Sequence, residues 1–417
     1  MTAFQTIAVL MVLAAIGSYV NYRFLRMPST IGLTVLTLIG TMVMFFLGKA
    51  GVVDFSDTVK FVSNIQFDDL LLHGMLSLLL FAGALHIDLE DLKEMRAPIA
   101  VLTTIGVLVA TFVTGTLFWL GARLLGFDCP YIYGLLFGAL ISPTDPIAVL
   151  GIIKQVGAPK PLATKIAGES LFNDGIGVVV FLTVLGIATG EQSPTFGSLT
   201  LYLLEEVAGG VGLGLLLGWI TFRMLRSVDA YQVEVLLTVA LATGGYALAE
   251  SLHVSAPILV VTAGLLIGNQ GRDLAMSDLT REHLDGFWEL TDEMLNALLF
   301  MLIGLELVVL DFNAILFIAG LLAIIAVLCG RFVSVAMPFA LLWRRGRFPA
   351  GTVGVLIWGG LRGGISVALA LSLPFGPHRD LLVAVTYIVV IFSVLVQGLT
   401  FGRVVRKLSA SDVAAVS

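Results

Sequence analysis

The stretch GESLFNDGIG, residues 168–177, places two carboxylates and an amide inside a long apolar segment of the chain. On a helix, four residues at i, i+3, i+4 and i+7 spacing would share one face, namely Ser170, Asn173, Asp174 and Gly177. An ionisable side chain inside a membrane costs several kcal/mol unless it is paired or hydrated, so such a residue indicates a functional site. The stretch therefore predicts a buried helix whose polar face binds a proton or a small cation at Asp174, with Asn173 supporting it and Ser170 supplying a further oxygen.

The composition of the chain indicates a membrane protein. Of its 417 residues, 58% are hydrophobic and only 12% are charged, about half the charged share of a soluble protein. Apolar runs of roughly 20 residues recur from end to end, which is the length that crosses the hydrocarbon core of a bilayer. The strict alternation typical of a transmembrane β-barrel is absent. We therefore predict an all-α polytopic membrane protein with about 13 transmembrane helices.

The spans form a single integral membrane domain. We assign six spans to about 5–189, a linker span to about 199–222, six spans to about 230–402 and a short cytoplasmic tail to 403–417. With this assignment, most of the 23 lysine and arginine residues lie on one side, which the positive-inside rule identifies as the cytoplasm. The prediction is a protein of the plasma (inner) membrane with its N-terminus outside and its C-terminus in the cytoplasm.

A second polar stretch, ALISPTDPIAVLG at 139–151, lies within the fifth span. Pro143 and Pro146 both lack a backbone donor, so the helix is expected to break between them. Unwound backbone is tolerated at membrane depth only where it lines a cavity or is buried in protein, and its free carbonyls can bind an ion. Thr144 offers a hydroxyl oxygen, whereas Asp145 either binds the cation or caps the broken half-helix, a role we slightly favour.

A matching stretch, VLIWGGLRGGISVALALSLP at 355–374, lies in the twelfth span. Its four central glycines weaken the helix, and Arg362 among them would offset the carbonyls that a break exposes. Arg331 is the second cation deep in a span. An unpaired buried Glu169 would be expensive, so one of these two arginines is expected to pair with it. We prefer Arg331 as this partner, in a structural bridge, and keep Arg362 as the runner-up.

Three stretches carry a resemblance to a known family: SPTDPIAVLG at 142–151, GESLFNDGIGVVVF at 168–181 and GGLRGGISVALALSLP at 359–374. In these stretches the chain resembles the monovalent cation:proton antiporters of the NhaP and sodium/hydrogen exchanger type. This cation:proton antiporter-1 family resemblance extends from the second span to the thirteenth. It implies two inverted six-helix repeats with crossed, unwound helices, a homodimer, and alternating access in which a core domain moves against a dimerisation domain.

The resemblance also assigns roles to residues. It places the ion-binding aspartate at Asp174, so that the transported Na⁺ would contact Asp174 and Ser170, with Asn173 beside them. The family's Thr-Asp-Pro break falls on Thr144, Asp145 and Pro146, and its structural glutamate and arginine fall on Glu169 and Arg331. One position departs from the pattern, because Ala82 stands where many NhaP-like proteins have a glutamate. The missing carboxylate leaves the choice between Na⁺ and K⁺ open.

The predicted function is secondary active antiport of Na⁺ or Li⁺ against H⁺, electroneutral at one for one, in the service of pH homeostasis. K⁺/H⁺ antiport is the alternative, and a Na⁺-coupled symporter on a related fold is a weaker one. An intramembrane aspartyl protease using Asp145 and Asp174 is disfavoured, because the sequences around both residues lack the motifs of such enzymes. We expect a transporter without enzymatic activity, cofactor or nucleic-acid partner, driven by an ion gradient.

Overall fold

A computed structural model describes residues 3–49, 67–145, 149–150, 152–153, 160–190, 196–307, 313–343 and 350–414. Every regular element within these ranges is helical. The α-helices are α1 (Ala3–Val20), α2 (Ser29–Lys49), α3 (Phe67–Asp69), α4 (Leu76–Leu85), α5 (Leu89–Glu94), α6 (Arg96–Val101), α7 (Val107–Leu124), α8 (Tyr131–Leu140), α9 (Lys160–Thr189), α10 (Phe196–Leu225), α11 (Tyr231–Ser251), α12 (Ala256–Leu266), α13 (Arg272–Ala275), α14 (Asp278–Glu306), α15 (Ala314–Trp343), α16 (Ala350–Trp358), α17 (Gly364–Leu371), α18 (Arg379–Phe392) and α19 (Gly398–Ala414). Short π-helical turns join or extend several of them, at Asn21–Leu25, Leu70–Met75, Leu102–Gly106, Ile267–Gly271 and Ser393–Gln397.

The helices confirm the predicted all-α polytopic membrane protein. Seven of those in the described ranges are long and apolar enough to cross a bilayer: Gln5–Leu25, Arg96–Leu124, Leu162–Thr189, Leu201–Leu225, Tyr231–Ser251, Ala314–Ala340 and Arg379–Leu408. Shorter apolar helices accompany them at Ser29–Met44, Leu70–Leu85, Tyr131–Leu140 and Ala256–Gly271. The count of about 13 spans and their division around a linker stay predictions.

Two helices are interrupted where the sequence predicts a break. α8 ends at Leu140, and residues 142–145 are not helical, while Pro146 lies outside the described residues. α16 ends at Trp358, and α17 begins at Gly364 after a non-helical segment. The two unwound segments meet, because the Asp145 N–H donates to the Leu361 carbonyl at 2.8 Å. Their crossing brings the two interrupted helices to one place in the interior.

The interior is divided between two apolar clusters on either side of this crossing. One cluster is built mainly from α7, α8, α15 and α18, and the other from α4, α11, α12 and the first half of α14. α9 packs against α8, α12 and α4, and so contacts both clusters. α10 packs closely on α12, because a Cβ added at Gly210 or Gly214 would lie 2.7 Å from a backbone carbonyl oxygen. α9 therefore positions its polar face between the clusters.

Candidate functional site

The polar face of α9 lies against the unwound segment that follows α8. Ser170, Asn173 and Asp174 each expose no more than 4% of their surface. Gly177 permits the close approach, because a Cβ at this position would lie 2.7 Å from Pro143 Cγ. A side chain one carbon larger would therefore push the unwound segment away from the helix. The lack of a side chain at Gly177 thus allows the helix that carries Asp174 to lie close to the unwound segment after α8.

A hydrogen-bond network fixes Thr144 to α9. The Thr144 N–H donates to Asn173 Oδ1 at 3.1 Å, and Asn173 Nδ2 donates to Thr144 Oγ1 at 2.7 Å. The Thr144 hydroxyl also hydrogen-bonds the Ser170 hydroxyl at 3.0 Å. The Asn173 amide is therefore bonded to Thr144 rather than to Asp174. It holds two hydroxyl oxygens next to the carboxylate.

Asp174 differs from its neighbours on this face. Its Oδ1 atom is buried and has no hydrogen-bond partner within the described ranges of the chain. The charged groups that act on the carboxylate are Asp145 and Arg362. A buried polar atom without a partner is rare in a folded protein and calls for a bound water or ion. Asp174 is also one of the residues that line a large cavity.

Glu169 lies five residues earlier on α9 and has a different environment. Arg331 Nη1 donates to Glu169 Oε1 at 2.5 Å, and Nη2 donates to Oε2 at 3.1 Å. Arg331 also donates to the Leu356 carbonyl, at 3.2 Å from Nε and 2.8 Å from Nη2. The structure thus places Arg331, not Arg362, on this glutamate. The bidentate pair joins α9 to α15 and to the end of α16.

Arg362 is almost completely buried and lies at the crossing of the unwound segments. Its Nη1 atom donates to the Ser142 carbonyl at 2.6 Å and to the Pro143 carbonyl at 2.9 Å. Its own N–H donates to Ser393 Oγ at 2.8 Å. The guanidinium thus supplies hydrogen bonds to carbonyls that the broken helix after α8 leaves exposed, whereas the sequence suggested this role for the break in its own span. Its charge also lies close enough to act on Asp174.

Asp145 ends the described part of this unwound segment and is partly exposed. Its backbone is bonded across the crossing, and its side chain lies against Gly363, where an added Cβ would meet the carboxylate. The side chain lines the same cavity as Asp174. The geometry therefore brings together the predicted ion-binding residues Ser170, Asn173, Asp174, Thr144 and Asp145. Ion binding by these residues stays a prediction.

The cavity has a volume of about 640 Å³ and is strongly acidic. Its acidic lining residues besides Asp174 are Asp88, Asp91, Asp145, Glu289, Asp292 and Glu293. The exposed residues Asp88 and Glu289 mark its mouth, and the buried Asp174 lies at depth. A cavity lined by one sign of charge concentrates counter-ions, so this path favours cations over anions.

Several of these lining residues were not recognised in the sequence. Asp292 and Asn296 lie one turn apart in α14, inside the predicted tenth span, and both face the cavity. The sequence does contain an indication of them, because polar residues at i and i+4 in an apolar span indicate a functional site, as they do in α9. Ala82, which stands where many NhaP-like proteins have a glutamate, also lines the cavity, and its side chain supplies no oxygen ligand.

Comparisons with known proteins agree with this geometry. Residues 9–407 match the family described as "Sodium/hydrogen exchanger, transmembrane". The chain is 52% identical to the Na⁺/H⁺ antiporter NhaP of Pseudomonas aeruginosa, over 97% of both chains. It is 33% identical to the Na⁺/H⁺ antiporter NhaH of Halobacillus dabanensis, over 93% of both.

A solved structure shows the same fold. The sodium proton antiporter MjNhaP1 from Methanocaldococcus jannaschii superposes with a TM-score of 0.76 over 98% of this chain and 99% of that one, at 20% identity. At this identity the likeness concerns the fold alone. The family, in contrast, is shown by a match that spans nearly the whole chain and by the level of identity to its curated members. The chain belongs to the sodium/hydrogen exchanger family of membrane transporters.

Proposed function

We propose that the protein exchanges Na⁺ for H⁺ across the plasma membrane, with Asp174 binding one or the other. The observation that carries this proposal is the Asp174 Oδ1 atom, which is buried without a hydrogen-bond partner in the described ranges, on a residue that lines an acidic cavity. The hydroxyl of Ser170, on the same face of α9, is bonded to the hydroxyl of Thr144 in the unwound segment. Carboxylate and hydroxyl oxygens are the donors that a hard cation such as Na⁺ prefers.

Competition for one carboxylate explains the exchange. Asp174 holds either Na⁺ or a proton, so each loaded form of this residue is neutral. A neutral loaded site crosses the low-dielectric interior more readily than a charged one, because an uncompensated buried charge is expensive. Exchange is then electroneutral at one for one. The fixed charge of Arg362 stays with the unwound backbone that it bonds and takes no part in the stoichiometry.

The alternatives fit the molecule less well. The similar proteins named above are Na⁺/H⁺ antiporters, which favours Na⁺ over K⁺ as the cargo. The acidic cavity disfavours an organic anion, and hence a Na⁺-coupled symporter of such a substrate. The family contains transporters, so an intramembrane aspartyl protease based on Asp145 and Asp174 has no support from it.

Orientation and assembly are part of the same proposal. The cavity opens at the chain segments around His86 and Glu289, which the distribution of basic residues assigns to the cytoplasm. The structure then corresponds to a form whose ion site faces the cytoplasm, with the N-terminus outside. We further propose a homodimer, in which this core domain moves to expose Asp174 on the other side.

The test is transport by the purified protein in liposomes that contain a pH-sensitive dye. Addition of Na⁺ should move protons in the wild type, with or without clamping of the membrane potential by K⁺ and valinomycin. Asp174→Asn should show no response, whereas a response to K⁺ alone would favour K⁺/H⁺ exchange. Full activity of Asp174→Asn, with correct folding, would refute the assignment of the site to this carboxylate.

A further inference from the structure

The cavity contains a second polar position that the exchange at Asp174 leaves unused. Asp292 and Asn296 lie four residues apart in α14 and therefore on one face of the helix. This face lines the same cavity as Asp174. α14 also packs against α4 and α17, which line the cavity too. The pair thus lies beside the path that a cation takes from the mouth of the cavity to Asp174.

Asn296 is the observation that points to a ligand. Only 4% of its surface is exposed, yet neither its amide oxygen nor its amide nitrogen has a hydrogen bond within the described ranges. The amide acts on the Asp292 carboxylate, but the two do not meet hydrogen-bond geometry. Ser366 on α17 has a buried hydroxyl that also lacks a hydrogen bond within the described ranges, and it lines the same cavity. Buried polar groups of this kind normally bind water or an ion.

The charges around Asp292 favour a cation. The groups that act electrostatically on its carboxylate are His86, Asp145 and Glu293, so carboxylates outnumber cationic groups. His86 Nδ1 is already bonded to the Ala82 carbonyl at 2.8 Å. A negative potential at a partly buried position raises the local concentration of cations, and a carboxylate with an amide oxygen supplies hard donors for Na⁺.

We propose that Asp292 and Asn296 form a second binding position for Na⁺, a vestibule site that loads the cation before it reaches Asp174. This inference rests on the proposed function only for the identity of the cargo. The vestibule site contributes to the apparent affinity for Na⁺ from this side of the membrane. Its loss should therefore raise the KM for Na⁺ and spare the maximal rate, whereas loss of the Asp174 carboxylate abolishes exchange.

Transport kinetics in the dye-loaded liposomes test the assignment. Asp292→Asn should raise the KM for Na⁺ about tenfold, the scale of losing one supporting metal-site group, and should leave the maximal rate nearly unchanged. Asn296→Ala should raise the KM in the same direction. Glu282→Gln is the matched control, because it removes the same charge from an exposed residue of α14 that is not part of the cavity lining. An equal rise in KM for Glu282→Gln would show a general charge effect and overturn the vestibule site.

A binding measurement separates this inference from the proposed function. In purified Asp174→Asn, replacing choline chloride by NaCl should still raise the melting temperature, because a ligand that binds only the folded state stabilises it. The double variant Asp174→Asn with Asp292→Asn should lose this Na⁺-dependent rise. If the double variant retains it, the vestibule site is refuted. This result holds whether or not the wild type exchanges Na⁺ for protons.

Discussion

Glu169 and Asp174 lie five residues apart on α9, and both are almost completely buried, with 2% and 4% of their surfaces exposed. Arg331 bonds both oxygens of Glu169. Asp174 keeps one oxygen without a hydrogen-bond partner in the described ranges, and the residue lines a cavity. Burial alone therefore does not distinguish a structural carboxylate from a functional one. The difference lies in whether the protein itself satisfies every acceptor of the carboxylate.

The difference between Glu169 and Asp174 has a physical reason. A carboxylate bonded to a guanidinium through two hydrogen bonds is held in one geometry. A carboxylate with an open coordination position can exchange one small partner for another without breaking the fold. Glu169, which joins the helices, therefore has a different role from Asp174, which changes its ligand, although α9 carries both.

The strongest test of this comparison is a pair of isosteric changes. Asp174→Asn should reduce Na⁺-driven proton movement to the level of protein-free liposomes, because the amide binds neither a proton nor Na⁺ as the carboxylate does. Its melting temperature should not fall, since the change removes a buried charge whose Oδ1 has no hydrogen-bond partner in the described ranges. Dye-based transport and scanning fluorimetry on the same preparations check both statements. A large loss of stability in Asp174→Asn would contradict the comparison.

Glu169→Gln, unlike Asp174→Asn, should strongly destabilise the protein. Removing one member of a buried ion pair leaves the other charge uncompensated, so Glu169→Gln or Arg331→Met alone should lower the free energy of unfolding by about 3–5 kcal/mol. The double variant should recover much of this loss, because both charges are then absent. Thermal unfolding in detergent measures all three. Additive losses in the double variant would show that the two side chains act independently.

The pH dependence of transport sharpens the role of Asp174. If a single proton competes with a single Na⁺ at this carboxylate, the KM for Na⁺ should rise as the pH falls. On the acid side of the apparent pKa of transport, the rise should be about tenfold per pH unit, as one-for-one linkage requires. Liposomes assayed over a series of pH values, with Na⁺ titrated at each, give this slope. A rise near a hundredfold per unit would indicate that two protons compete for each cation.

The sequence predicted the parts of the site that local chemistry determines. Pro143 and the glycines around Arg362 weaken hydrogen bonding within their own segments, so both interruptions were visible without tertiary information. The spacing of polar residues in α9 likewise follows from helical geometry. The pairing of Glu169 with Arg331 rather than Arg362 is a preference from the sequence, and the structure alone shows the contact.

The sequence did not reveal which helices share the cavity. Asp292 and Asn296 belong to α14, and only the packing of this helix against α4 and α17 places them at the same cavity as Asp174. Lateral packing, unlike depth in the membrane, is not encoded by the hydropathy of one segment.

The smallest expected effect concerns the contact that positions Asp174. Gly177→Ala adds a Cβ that would lie 2.7 Å from Pro143 Cγ and 3.3 Å from Ser142 Oγ, so the unwound segment must shift. Overpacking of this kind costs about 1–3 kcal/mol, and we expect the lower end because an unwound segment yields more easily than a helix. The shift moves Thr144 relative to Asp174, so the KM for Na⁺ should rise while the Glu169 pair stays intact. Gly244→Ala is the control, since a Cβ there meets no atom within 4 Å. Equal transport constants for the two alanine variants would show that the close approach of α9 to the break is not needed for cation binding.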